Sequence, residues 1–262
     1  MKAISLLYHD VIEGDNWDAS GFPGPAAAKY KLSRRDFEAH LSAIVTARVS
    51  PSVTVRDALC ANASRIPVFI TFDDGGTSAA NPIADLLECR GWRAHFFITA
   101  GQIGKPGFMN AAQIRNLHER GHVIGSHSFT HPTRMSNCND AMLADEWRRS
   151  IETLSDLLGE QVDTASVPGG YYSRRVAETA AAAQIRILFN SEPTARVARI
   201  GGCFVLGRFA VVRGTPAVVS GQLASIGGTA RSRQWIFWNI KKMAKCIGGK
   251  HYLTARRYLL GR

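Results

Sequence analysis

Apolar residues fall along this chain in short runs, separated by longer stretches with helical periodicity. Seven runs read as strands: Ile4–Tyr8, Ile66–Phe72, Ala94–Thr99, His122–Ser126, Thr164–Val167, Ile185–Phe189 and Cys203–Val211. They are rich in Ile, Val and Phe, as strands buried on both faces tend to be. Between them the pattern predicts helices over Ser33–Thr46, Asn81–Arg90, Asn110–Arg120, Asp140–Leu158 and Ser173–Ala183. Ser33 is placed to cap the first, with Asp36 three residues on. In Asp140–Leu158, the residues Leu143, Trp147, Ile151, Leu154 and Leu158 form one apolar face, and Gly159 stops the helix. Alternating strands and helices imply an α/β fold with a parallel sheet, and seven strands suit a distorted (β/α) barrel.

Composition changes this picture little. The chain has 262 residues, 45% apolar and 20% charged, which excludes a disordered, collagenous or coiled-coil protein. No apolar run approaches the roughly 18–20 residues of a membrane span. The opening MKAISLLYHDV does not read as a signal peptide, and five scattered cysteines without CxxC spacing read as reduced thiols. Together these give an expectation of a cytoplasmic protein. Charge is more informative. The net +11 belongs to the last quarter: no Asp or Glu follows Glu192, whereas 13 Lys or Arg do. The division expected is a barrel over 1–212 and a basic extension over 213–262.

In parallel α/β folds chemistry gathers beyond the C-terminal ends of strands. The second strand ends on Asp73–Asp74–Gly75–Gly76, and adjacent buried carboxylates are costly without a nearby cation. Asp-Gly alone also reads as a plain turn. The fourth strand leads into HSFTHP, with His127 and His131 four apart and Pro132 disfavouring a helix there. Two imidazoles and a carboxylate make a three-ligand catalytic zinc set, although an isolated HxxxH can equally be two unrelated histidines. The fifth strand leads into Pro168–Gly169–Gly170, a turn able to present backbone N–H groups to an oxyanion or simply to turn the chain. All three signals fall on strand ends of one sheet.

TFDDG at Thr71–Gly75, HSFTHP at His127–Pro132 and the Pro-Gly-Gly turn resemble the polysaccharide deacetylases, the NodB-homology or carbohydrate esterase family 4 proteins. LLYHDV at Leu6–Val11 resembles the branch that starts with a Tyr-His motif. The resemblance covers roughly residues 4–212. It implies a distorted (β/α) barrel and metal-dependent removal of acetyl groups from an acylated sugar. Carried over, it makes Asp73 the catalytic base, Asp74, His127 and His131 the ligands of a divalent ion, Zn²⁺ foremost, and Gly169 a backbone donor to the oxyanion. Two departures stand out. The Arg that orients the base in the third motif is missing, with Ser166 two before Pro168, and no Leu-x-His general acid lies near the last strand, which offers Leu206–Gly207–Arg208. His9 and Glu192 are the candidate replacement acids.

Other histidines read more plainly: His95 as a core residue, His118 and His122 as turn or surface positions, His40 as exposed on a helix. Tyr171 and Tyr172 either line a sugar cleft or pack. In the extension, Ile236, Ile240, Met243 and Ile247 recur at helical spacing beside Lys241, Lys242 and Lys245, with Trp235 and Trp238. This reads as a basic amphipathic helix, packed on the barrel or lying on an anionic membrane surface. The expected activity is a hydrolase removing acetyl from an N-acetylated amino sugar of a bacterial surface glycan or lipid-linked precursor, cytoplasmic or peripheral at the inner membrane. The alternatives are an O-acetyl carbohydrate esterase and a glycan-binding relative without turnover. Nucleic acid is not an expected partner, since no recognised module is present.

Overall fold

The computed structural model describes residues 1–47, 53–60, 66–225, 227 and 229–240. In chain order the elements are β1 (Ile4–Tyr8), β2 (Val11–Ile12), α1 (Pro25–Ala28), β3 (Leu32–Ser33), α2 (Arg34–Ala47), α3 (Val55–Cys60), β4 (Val68–Phe72), α4 (Ile83–Glu88), β5 (His95–Ile98), α5 (Ala111–Glu119) and β6 (Val123–Ser126). They continue with α6 (Asp140–Leu158), β7 (Thr164–Ser166), α7 (Arg174–Ala182), β8 (Ile187–Phe189), β9 (Val197–Ile200), β10 (Cys203–Leu206), β11 (Phe209–Ala210), α8 (Ala217–Ala224) and α9 (229–240).

One sheet runs β11-β1-β4-β5-β6-β7-β8-β10-β9, while β2 and β3 pair separately. Every neighbouring pair in the large sheet is parallel except β10 with β9. The outward residues of β1, β4 and β5, such as Leu6, Ile70, Phe72 and Phe96, pack against Phe37, Leu41 and Ile44 of α2 and Ile83, Leu87, Ile114 and Leu117 of α4 and α5. Phe69, Phe97, Ile187, Phe189 and Leu206 form a separate apolar cluster that fills the interior. This is the expected distorted (β/α) barrel.

The expected strand Cys203–Val211 is two strands. β10 pairs with β8 and β11 pairs with β1, at opposite ends of the parallel series, so this one segment bridges both sides of the barrel. The chain bends between them at Gly207–Arg208. A Cβ on Gly207 would lie 2.2 Å from the Glu192 carbonyl oxygen, so a side chain is excluded at the bend. The N-terminal residues add to the closure, Ala3 N–H donating to the Ala195 carbonyl at 2.9 Å.

Helix termini follow local chemistry. Ser33 Oγ accepts from Asp36 N–H at 3.1 Å, and Asn110 and Gln113 form a reciprocal capping box on α5. Gly159 ends α6 in the left-handed conformation. His95 is a core residue as expected, enclosed by Phe69, Phe97 and Phe189. Its Nε2 accepts from Val55 N–H at 3.0 Å, and burial pushes its pKa down to about 3. His40 is buried rather than exposed, held by the Thr215 carbonyl and Ser220. His122 is also buried, between Glu88 and Ala94 N–H. Helix α8 packs on α2, where a Cβ on Gly221 would lie 2.7 Å from the Ala43 carbonyl oxygen. Helix α9 follows, with Gln234 donating to the Ala210 carbonyl at 2.9 Å.

Candidate active site

The residues picked out at three strand ends converge at the mouth of the barrel. Asp73 and Asp74 follow β4, His127 follows β6, and His131 lies on the loop beyond it. Nε2 of His127 and Nε2 of His131 approach the same Asp74 Oδ1, at 3.5 and 3.6 Å. Those distances are too long for hydrogen bonds. They match a tetrahedral ion with bonds of 2.0–2.2 Å, whose ligand–ligand edges are about 3.4 Å. One ligand atom from each residue lies within 4.8 Å of the others. Two of the three residues hold left-handed backbone, Asp74 at φ 77° and His131 at φ 62°. Strain of that kind persists where surroundings over-determine it, and it gathers at working sites. Imidazole, imidazole and carboxylate fit Zn²⁺ by donor chemistry and by spacing alike.

Hydrogen accounting fixes the state of His127. Ser166 Oγ donates to Asp73 Oδ1 at 3.0 Å and lies 2.6 Å from His127 Nδ1. A hydroxyl carries one hydrogen. With that hydrogen on Asp73, the bond to His127 must be Nδ1–H donating to Oγ, and Nε2 is the ring nitrogen that faces Asp74. Burial pushes the His131 pKa down to about 4, helped by the neighbouring His127 and opposed by the two carboxylates, so this ring is neutral at neutral pH. The intervening loop is tethered to α6: the Glu146 carboxylate accepts from the backbone N–H groups of Phe129 and Thr130 and from the Thr130 hydroxyl.

Asp73 has a different partner. The buried guanidinium of Arg208, at the bend between β10 and β11, grips it through Nη1 to Oδ1 at 2.6 Å and Nη2 to Oδ2 at 2.8 Å. Arg208 is itself held by the Asn190 carbonyl and by Thr71 Oγ1, above the ring of Phe97. Burial alone would raise the Asp73 pKa. Arg208, with smaller contributions from His127 and His9, more than reverses this and holds the carboxyl well below the usual range. Asp74 is treated likewise, burial being outweighed by the imidazoles of His127, His9 and His131. Asp73 Oδ2 lies 3.8 Å from His127 Nε2, so the ion-paired carboxylate borders the ligand cluster.

The guanidinium that the third motif lacks reaches Asp73 instead from the bend between β10 and β11, and Ser166 bridges Asp73 to His127. Sequence reasoning missed Arg208 as a site residue. The available signal was Gly207 inside an apolar strand pattern, which marks a bend. His9 directly follows β1, its ring centroid 4.8 Å from that of Tyr30, and its imidazole is among the groups that act on Asp73, Asp74 and His131. Its Nδ1 is buried without a hydrogen-bond partner among the described residues. Glu192 sits differently. Its backbone carbonyl accepts from Arg208 N–H at 2.9 Å, while its carboxylate is felt at Tyr172. The Pro-Gly-Gly turn lies against the histidine loop, a Cβ on Gly169 coming to 2.9 Å from the Thr133 carbonyl oxygen. Tyr171 carries the Arg134 guanidinium on its ring. In the extension, Trp235, Ile236, Phe237 and Ile240 are exposed on α9. Met243, Ile247 and the lysines beyond residue 240 lie outside the described residues.

Fold and site together place, at the mouth of a (β/α) barrel, three residues that could hold a metal ion and a separate ion-paired carboxylate. Residues 61–188 match the family model described as polysaccharide deacetylase, and over them the chain is similar to that family. The peptidoglycan-N-acetylglucosamine deacetylase PgdA of Listeria monocytogenes is 28% identical over 160 residues, 60% of this chain and 32% of that protein. The chain thus spans about a third of that relative's length. Among solved structures, a polysaccharide deacetylase from Bacillus cereus superposes with a TM-score of 0.72 at 17% identity, covering 86% of this chain and 69% of the other. IcaB from Ammonifex degensii gives 0.67 at 22% identity, covering 86% and 97%. At these identities the structures speak for the fold.

Proposed function

We propose that the protein is a metal-dependent deacetylase that removes acetyl from an N-acetylated amino sugar of a bacterial surface glycan or its lipid-linked precursor. The observation that carries the reading is the convergence of Asp74, His127 and His131 beside a second carboxylate, Asp73, kept ionised by a buried arginine. Asp74 Oδ1 and the two Nε2 atoms would hold the ion, Zn²⁺ foremost, which supplies Lewis acidity toward an acyl carbonyl and toward water. Asp73 takes the proton from the attacking water, oriented by Arg208 and Ser166. Arg208 keeps this carboxylate charged, its guanidinium held over the Phe97 ring. The N–H of Gly169 donates to the oxyanion that develops on the acyl oxygen. His9 is the residue placed to return a proton to the leaving amine, because it directly follows β1 and its imidazole acts on Asp73, Asp74 and His131.

The test is metal analysis of purified protein alongside acetate release from N-acetylated and O-acetylated sugars, for wild type and Asp73→Asn. Acetate from N-acetyl substrates, lost in Asp73→Asn with metal retained, is the expected result. Release from O-acetyl substrates alone would favour an esterase. Tight sugar binding without release would favour a glycan-binding relative. Full turnover in Asp73→Asn would remove the base assignment.

The exposed apolar residues of α9, in a region of chain with basic but no acidic residues, support peripheral contact with an anionic membrane. Flotation with anionic liposomes, lost in Ile236→Ser/Phe237→Ser, is expected; equal flotation of both proteins argues against it. Among the described residues no helix is long and apolar enough to cross a membrane.

A further inference from the structure

The segment between β2 and α1 has almost no regular structure, yet it builds one wall of the site. Its Phe22 ring packs on His131, with centroids 4.8 Å apart, and edge-on to Phe108 at 4.9 Å. What holds this segment is a buried charge. Lys31 is 1% exposed, and its Nζ donates to the carbonyls of Trp17, Ser20 and Phe22 at 2.7, 2.6 and 2.7 Å. An ammonium has three hydrogens, and each has an acceptor. Three carbonyls from one short loop converge on a single cation, in the way a loop wraps a bound ion.

The same loop is pinned a second time. Asp10 Oδ1 accepts from Ser20 Oγ and Ser78 Oγ at 2.6 and 2.7 Å. Gly21 N–H donates to the Gly107 carbonyl at 2.8 Å, and a Cβ on Gly21 would come to 2.1 Å from Asp10 Oδ2. Phe22 lies between these anchors, its own carbonyl on Lys31. His131 is the ligand that needs such support. It is the most exposed of the three and holds a left-handed backbone. Where His127 is oriented by Ser166, the His131 ring rests between Phe22 and His127, with centroids 4.8 and 5.0 Å away.

We propose that Lys31 and Phe22 are positioning residues for the metal site, the lysine acting as a built-in cation that fixes the loop and the phenylalanine transmitting that order to the His131 ring. This rests on Asp74, His127 and His131 being the ligands. Lost orientation of a ligand is paid in metal affinity, by 10–100-fold for typical outer contacts.

The experiment uses the full chain. Zn²⁺ affinity is measured by competition with a chromophoric chelator for wild type, Phe22→Ala, Lys31→Met and the double variant, with the unfolding midpoint of each metal-free protein. Each single variant is expected to weaken Zn²⁺ binding about tenfold. The double variant should be no weaker than the worse single one, because both act through one contact. Phe22 is half-buried, so Phe22→Ala should keep a midpoint close to wild type. Should Lys31→Met not fold, Lys31→Gln retains two donors and takes its place. Wild-type affinity in Phe22→Ala, or in a lysine variant whose midpoint has fallen, would overturn the proposal, as would penalties that multiply in the double variant. Failure of wild type to bind Zn²⁺ would overturn the ligand assignment itself, and this inference with it.

Discussion

Arg208→Met removes the guanidinium while keeping an unbranched chain over Phe97. The wild-type carboxylate of Asp73 is 5% exposed and accepts from Nη1, from Nη2 and from Ser166 Oγ. In the variant the serine bond alone remains. Removing one partner of a buried ion pair costs about 3–5 kcal/mol, because the other charge stays in low dielectric. Asp73 escapes part of that cost by taking up a proton. Burial already drives its pKa upward, and Arg208 is the main force that reverses it.

The sign of the pH effect follows. In wild type the folded pKa lies below the unfolded value, so the ion pair stabilises fully above the unfolded carboxylate pKa of ~3.9 and is lost as pH falls toward the folded one. In Arg208→Met the folded pKa lies above the unfolded value, so the group stabilises at low pH and costs stability as pH rises. A protonated Asp73 cannot accept the proton of water. Deacetylation at neutral pH should therefore fall by about 10²-fold or more, the scale of a lost general base, and recover in part as pH rises. Urea unfolding and pH–rate profiles of wild type, Arg208→Met and Asp73→Asn/Arg208→Met measure both effects. The double variant should be more stable than Arg208→Met, since no charge is left unpaired. A stability loss under about 1 kcal/mol, with the acidic limb of the rate profile unmoved, would refute the reasoning.

His9→Ala should lower the rate about 10²-fold, the low end for a general acid, whereas Glu192→Gln should stay within a few-fold; a normal rate in both removes the pair as candidate acids. Gly207→Ala should lower the unfolding midpoint and the rate together, because its Cβ meets the Glu192 carbonyl oxygen at 2.2 Å and the bend must shift; unchanged values in a thermal melt and an acetate assay would show that the bend is not constrained. His95 takes a proton near 6.5 when unfolded but only at about 3 when folded, so it adds a loss of stability as pH falls below 6.5, with a slope approaching about 1.4 kcal/mol per pH unit. In chelator-treated protein, His95→Gln should show a shallower decline by that slope, read from urea midpoints between pH 4.5 and 7.

What was legible in the sequence follows the range of the forces involved. β1 and α6 have the ends expected, because a buried run and a capped apolar face are local properties. The pattern also contains the burial of His40, which shares the spacing of Phe37, Leu41 and Ile44 on one face of α2; reading the residue type in place of its position put it in solvent. β9 escaped because two of its four residues, Ala198 and Arg199, are exposed and the other two only partly buried, leaving no continuous apolar run. The Asp73, Asp74, His127 and His131 convergence was readable because each residue sits at or just beyond a strand end, and parallel strands bring those ends to one face. Arg208 was not readable. Its partner lies 135 residues away, and their meeting depends on how the barrel closes.

That closure has a chemical consequence. An arginine in the third motif would reach the base from β7. Here it comes from the segment that joins β8 to β1, so Asp73 is gripped only once the two ends of the parallel series have met across Gly207–Arg208. Ser166, left in the third motif, is too short to carry a charge to Asp73 but the right length to bridge it to His127. The two substitutions compensate as a pair: a long cation from the closing segment and a small hydroxyl where the cation would have stood. Arginine at both places would put two guanidinium groups on one carboxylate beside the two imidazoles, adding positive charge where a divalent cation must bind.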